Sequence, residues 1–180
     1  MSTLSREQIE NALTQLGQLA LAEQSTIELL VMGGAAMVLA YQARESTHDI
    51  DALIVKPHVA RLVREWAVTV AQTMGLEDDW LNDGAKGFLH GIDVGPIVFQ
   101  SPGITVHQVS ATQLLAMKLS AWRDDVDIND AERLLSILAG SHIGYTTIWQ
   151  AVEPFLIPGN ELKAQYAYTD LWERIHGTTD

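Results

Sequence analysis

Residues 27–55 read IELLVMGGAAMVLAYQARESTHDIDALIV. The first six form a short apolar run, of the length and composition of a buried strand. Gly33-Gly34 breaks the run, and residues 35–44 are rich in helix formers, so the stretch opens as strand, glycine turn, helix. Residues 49–55 form a second apolar run, expected as a strand and ended by Pro57.

Asp49 and Asp51 stand two apart on that second strand, where alternate side chains share a face and Ile50, Ala52 and Ile54 point oppositely into a core. Two neighbouring carboxylates repel, and a site that keeps both ionised usually supplies a cation. Hard oxygen ligands at this spacing suit Mg²⁺ (or Mn²⁺), which commonly takes one or two carboxylates plus substrate phosphates. A glycine turn that opens a helix lets backbone approach an anion. The pair and the turn together read as a nucleotide site. The plainer alternatives are a solvated strand end for Asp49 and Asp51, and a tight strand-to-helix turn for Gly33 and Gly34.

Outward from this stretch the signals are mostly local. Ser5 and Gln8 form a capping-box pattern ahead of Ile9, Leu13, Leu16 and Ala20, which predicts a helix over residues 5–22. Val59, Leu62, Val63, Trp66 and Val70 predict another, with Gly75 at its C-cap. Residues 76–95 carry mixed signals. Strands are expected over 96–100 and 104–109, joined by Ser101-Pro102-Gly103. Ser110 and Gln113 repeat the capping box ahead of a helix to Trp122, and three further helices are expected over 131–139, 146–156 and 161–175. The fold class is α+β (mixed α/β): a short mixed sheet flanked by helices over residues 1–109, then a helical lobe over 110–180, packed as one compact unit.

Composition narrows the chemistry. The 180 residues suffice for a core without staples. There is no cysteine, which removes disulfides, thiolate metal sites and a cysteine nucleophile, and fits a reducing cytoplasm. No apolar run approaches the roughly 20 residues of a membrane span, and the first ten residues are polar, so neither anchor nor signal peptide is expected. Net charge is −12, from 23 acids against 11 bases, which argues against a broad nucleic-acid-binding face. Asp125, Asp127 and Asn129 have calcium-loop spacing, but Asp130 and Ser136 stand where that loop needs glycine and glutamate. The six histidines, His142 among them, never fall at H-x-x-x-H spacing, and His48 is expected to face solvent. Trp66, Trp149 and Trp172 are expected to pack. Trp80 has polar neighbours and is expected either to line a cleft or to join the lobes.

The run from Val31 to Ala36, with Arg44, Thr47 and Asp49-Ile50-Asp51, resembles the signature of the nucleotidyltransferase (DNA polymerase beta-like) fold. It is closest to a poorly characterised bacterial branch related to abortive-infection-type toxin nucleotidyltransferases. Asp79–Asp83 with Gly87-Phe88-Leu89 resembles that branch's middle motif, and Leu114–Leu119 with Arg123 and Asp127–Asp130 its C-terminal helical motif. The resemblance implies glycines Gly33 and Gly34 on nucleotide phosphates and a divalent metal on Asp49 and Asp51. By position it implies Lys118 toward the triphosphate, with Asp127 nearby. A third acid is expected within about 5–6 Å of the pair, with Asp93, Asp83 and Asp127 as alternatives; Asp93 would sit on a strand beside the D-x-D strand. The implied activity is metal-dependent transfer of a nucleotidyl group from a nucleoside triphosphate to an acceptor that is a small molecule, a protein or an RNA end. A toxin–antitoxin role with a cognate antitoxin protein is the further implication. The rival is a non-catalytic nucleotide-binding or protein-interaction module with a degenerate site.

Overall fold

The computed structural model describes residues 3–140 and 143–177, so His142 lies outside the described residues. Helix α1 (Arg6–Ala22) is capped as its sequence predicts: Ser5 Oγ accepts from Gln8 N–H, and the Gln8 side chain accepts from Ser5 N–H at 2.9 Å. Its buried stripe is Ile9, Ala12, Leu13, Leu16 and Ala20. Each large aliphatic side chain so buried contributes roughly 1.5–3 kcal/mol. Leu4 and Ser5 also form a two-residue strand, β1 (Leu4–Ser5), antiparallel to β3 (Ser46–Thr47). No periodicity marks a pair that short.

Five strands make the main sheet: β2 (Ile27–Val31), β4 (Ile50–Lys56), β5 (Leu81–Asn82), β6 (Val94–Ser101) and β7 (Ile104–Val109). Their order is β5-β4-β2-β7-β6. β2 runs antiparallel to β4 and parallel to β7, and β5 runs parallel to β4, so the sheet is mixed. Between β4 and β5 the chain crosses over through α3 (Ala60–Met74), which Gly75 terminates in the left-handed conformation. Gly17 of α1 lies against the β6–β7 turn, where a Cβ would meet Pro102 O at 2.6 Å and Ile104 Cγ2 at 2.8 Å, which fixes how closely that helix packs.

Helix α2 (Gly33–Leu39) is shorter than its composition suggests and starts at the glycines themselves. The chain leaves it early, with Gln42 at a φ of 48°, and returns through Arg44 to β3. Trp80 corrects the sequence reading. It is 1% exposed, and its indole Nε1 donates to Ala67 O of α3 at 2.9 Å. It is a core side chain that ties the entry of β5 to α3.

The chain divides into two compact units, one of Met1–Lys86 and Val94–Val109, the other of Gly87–Asp93 and Ser110–Asp180. In the second unit α4 (Ala111–Ala121) is buried at every position from Gln113 to Ala121, as expected of a helix surrounded by others. α5 (Asp125–Ala139), α6 (Tyr145–Val152) and α7 (Glu161–His176) complete it. α5 starts six residues before the expected 131: Asp124 caps it by accepting from Asp127 N–H at 3.0 Å, and acids in a first turn suit the helix dipole. Tyr145, Trp149, Tyr168 and Trp172 stack between α6 and α7, with Tyr145 and Tyr168 centroids 4.7 Å apart. Gln113 holds residues 87–93 to α4 by donating to His90 O and Gly91 O and accepting from Asp93 N–H.

Candidate functional site

Asp49 immediately precedes β4 and Asp51 lies within it, while Ile50 and Ala52 are 0% and 3% exposed on the other side. Both carboxylates are oriented by one short segment. Asn82 Nδ2 donates to Asp49 Oδ2 at 2.7 Å, and Ala85 N–H donates to Asp51 Oδ1 at 2.8 Å. Asn82 Oδ1 in turn accepts from Gly84 N–H at 2.7 Å. The parallel pairing of β5 with Ile50 and Asp51 brings this turn alongside the acids. Asn82 was not singled out by sequence reasoning. Its only signal was a polar side chain inside the motif around Trp80, and its role depends on a partner 33 residues away.

The glycine turn meets the same carboxylate. Gly33 has a φ of +60°, and a Cβ there would stand 3.1 Å from Asp51 Oδ2, so the position requires glycine twice over. A Cβ on Gly34 would overlap Thr47 Oγ1 and approach Arg44 Nη1 to 3.2 Å. Thr47, held by the β1–β3 pair, therefore closes over Gly34, with the Arg44 guanidinium beside it. Gly33, Gly34, Arg44, Thr47, Asp49, Asp51 and Asn82 all belong to the first unit. The two carboxylates are the fit for a hard divalent cation: oxygen ligands, preoriented by donors on one side.

The expected third acid does not complete a metal cluster: among the described residues no three His, Cys, Asp or Glu side chains gather into a group able to hold a metal ion. Asp93 precedes β6, which lies at the opposite edge of the sheet, with β7 and β2 between it and β4, so it is not on a neighbouring strand. Asp83 pairs with Lys86 at 2.8 Å and Arg64 at 3.5 Å. The Lys86 hydrogen bond, with both cations' charge, holds its carboxyl below the ordinary range. His48 is exposed, as expected.

Lys118 is a buried side chain held by two acids. It is 6% exposed, and its Nζ lies 2.9 Å from Asp127 Oδ1 and 2.8 Å from Asp130 Oδ2, both acids 2% exposed. Arg123 Nε adds a bond to Asp127 Oδ2 at 2.9 Å, and its guanidinium stacks over Phe88. Burial alone would push the Asp127 carboxyl up. Hydrogen bonds from Arg123 and Lys118, with their charge, outweigh burial and hold it at about 2, against an ordinary 3.8. The unfolded chain therefore binds the proton more readily. The stabilisation from this group is complete above about pH 4 and is lost as pH falls through about 2; the shift corresponds to about 2 kcal/mol. Urea denaturation followed by near-ultraviolet circular dichroism should show the wild type's advantage over Asp127→Asn shrinking between pH 4 and pH 2. A constant difference across that range would contradict the ion-pair assignment.

A family model described as "Nucleotidyltransferase of unknown function (DUF6036)" matches residues 8–138. No curated protein and no solved structure matches the chain. No helix among the described residues is long and apolar enough to cross a membrane.

Proposed function

We propose that this chain, which belongs to the nucleotidyltransferase family of unknown function (DUF6036), moves a nucleotidyl group from a nucleoside triphosphate to an acceptor hydroxyl with the help of a divalent cation. The observation that carries this reading is that the turn at Asn82–Ala85 bonds both Asp49 and Asp51 while Gly33 lies against Asp51. Asp49 and Asp51 would hold Mg²⁺ or Mn²⁺. When bound, the metal would supply positive charge against the triphosphate oxygens and the departing pyrophosphate. Gly33 and Gly34 would offer the backbone of the turn to the phosphates, and Arg44 beside Gly34 adds positive charge at that turn. Asn82 and Ala85 hold the carboxylates in place before substrate arrives, so little reorganisation is needed on binding.

With no third His, Cys, Asp or Glu among the described residues gathered into a group that could hold a metal ion, metal binding should be weak alone and strengthen with the triphosphate, whose oxygens complete the coordination. Calorimetry should show triphosphate affinity rising at least tenfold with Mg²⁺ in the wild type and not in Asp49→Ala/Asp51→Ala. Equal affinities in the two proteins would sink the metal assignment. Lys118 and Asp127 remain proposed contributors to triphosphate binding: Lys118→Arg, which keeps the charge, tests this by the same titration. An acceptor that is a small molecule, a protein or an RNA end, and a cognate antitoxin, belong to the proposal at the same level.

A second reading is favoured by the absence, among the described residues, of a third gathered acid: a site that binds nucleotide and metal without turnover. Incubation with α-labelled triphosphate, Mg²⁺ and candidate acceptors separates the two, since only the transferase leaves label covalently attached.

A further inference from the structure

We infer that the free edge of β4 beside Asp51 is an acceptor track for an extended peptide. The inference rests on the transfer reading above and commits it to a protein acceptor bearing a hydroxyl.

β4 has seven residues, yet β5 pairs with it only at Ile50 and Asp51. After Asn82 the chain peels away, because Gly84 N–H turns back to Asn82 Oδ1 and Ala85 N–H is taken by Asp51 Oδ1. The strand position that a longer β5 would fill is left as a groove of about 260 Å³. Ala52, Leu53, Ile54, Ala60 and Leu81 form its walls, with Arg64 at its rim. Backbone polarity points the same way. Ile50 N–H bonds Trp80 O on the β5 side, and Asp51 O accepts from Met32 N–H on the β2 side. Alternation along the strand then turns the Ile54 N–H and C=O toward the groove.

An exposed strand edge with apolar pockets is the geometry of strand addition, in which main-chain hydrogen bonds give affinity and alternate side chains give selectivity. The vacated stretch, residues 52–56, accepts a peptide of about five residues, roughly 17 Å. Asn82 lines the groove and also bonds Asp49, so a peptide laid there has one end at the carboxylate pair. Exposed Glu77, Asp78 and Asp79 lead into β5 and favour a basic residue flanking the acceptor. In the transfer, the Ser or Thr hydroxyl oxygen forms a bond to the α-phosphorus. The bond from that phosphorus to the bridging oxygen breaks, pyrophosphate leaves with the electron pair, and the hydroxyl proton passes to solvent.

The probe is a pool of hexapeptides Lys-Xaa-Ser-Xaa-Thr-Lys, with Xaa drawn from Val, Ile, Leu and Phe, beside the same pool N-methylated at alternate amides. Amide hydrogen exchange on the full chain should show the Ile54 N–H slowed at least tenfold by the first pool and not by the second. Ala60→Trp, which fills the groove, should abolish that protection while leaving triphosphate affinity unchanged; Arg64→Trp at the exposed rim serves the same purpose should Ala60→Trp fail to fold. With α-labelled triphosphate and Mg²⁺, label should reach the unmethylated peptides and fall at least tenfold in either variant. No protection at millimolar peptide, equal protection by both pools, or label that goes to RNA or a small molecule and is unaffected by the groove variants overturns the inference. Protection of Ile54 without triphosphate binding upholds the docking and overturns the transfer reading instead.

Discussion

Replacing Lys118 by methionine should lower the unfolding free energy of the helical unit by about 3–5 kcal/mol, the usual cost of removing one partner from a buried ion pair. The reason is the company Lys118 keeps. Asp127 and Asp130 both point at its Nζ within 2.9 Å, and both are almost wholly buried. Methionine fills nearly the same volume, so packing changes little, but the shared cation between two carboxylates is gone. Arg123 still reaches Asp127 from a mostly exposed position, which moderates the loss on that side. The control is Lys118→Met/Asp127→Asn/Asp130→Asn, in which no buried unpaired charge remains, the exposed Arg123 losing only its Asp127 carboxylate, and most of the loss should be recovered. Chemical denaturation at pH 7 reads both. A change under 1 kcal/mol for Lys118→Met would mean the cluster is solvated and loosely held.

The largest expected effect on activity belongs to Asp51. Asp51→Asn keeps an oxygen for the Ala85 N–H, so the turn that orients the site should survive. What it removes is the negative charge toward a cation, and metal stabilisation of transferring phosphoryl groups is worth several kcal/mol, a loss on the order of 10³-fold in transfer rate. The melting temperature should barely move. Asn82→Ala provides the graded comparison: it leaves both acids and removes the donor that aims Asp49 together with the acceptor for Gly84 N–H, a change that typically costs about 10–100-fold. Initial rates with α-labelled triphosphate check both. An Asp51→Asn protein with wild-type rates would remove the metal from the proposed chemistry.

Much of the fold was legible because its signals are short. The capping box at Ser5–Gln8, the Ser110 cap on Gln113 N–H, the left-handed Gly75 after α3 and the apolar runs of β2, β4 and β7 act between residues a few positions apart; the other half of the expected Ser110–Gln113 box is not made, because the Gln113 side chain turns to residues 90–93 instead. The juxtaposition of Gly33-Gly34 with Asp49 and Asp51 was legible for the same reason: strand, turn, helix and returning strand occupy fewer than thirty residues. α5 begins at Asp125, six residues before the expected 131, because Asp124 caps an acidic first turn.

The remaining features depend on contacts that spacing does not encode. Lys118 sits on a helix that is buried all round, and nothing in Leu114–Leu119 tells a phosphate-facing lysine from one held by two acids on the next helix. Trp80 has polar neighbours in sequence and an apolar surrounding in space, because its partner is Ala67 on α3. Asp93 precedes a strand, but which edge that strand joins was settled by β7 pairing with β2. The groove beside β4 exists only because Asn82 and Ala85 draw the chain toward the carboxylates. Sequence alone determined the local elements and the residues able to carry the chemistry, since hydrogen-bond caps and side-chain alternation are set within a turn or two of backbone. Tertiary structure decided which charges are buried, which are paired and which strand edge is left open, since each of those depends on the free energy of bringing distant segments out of water together.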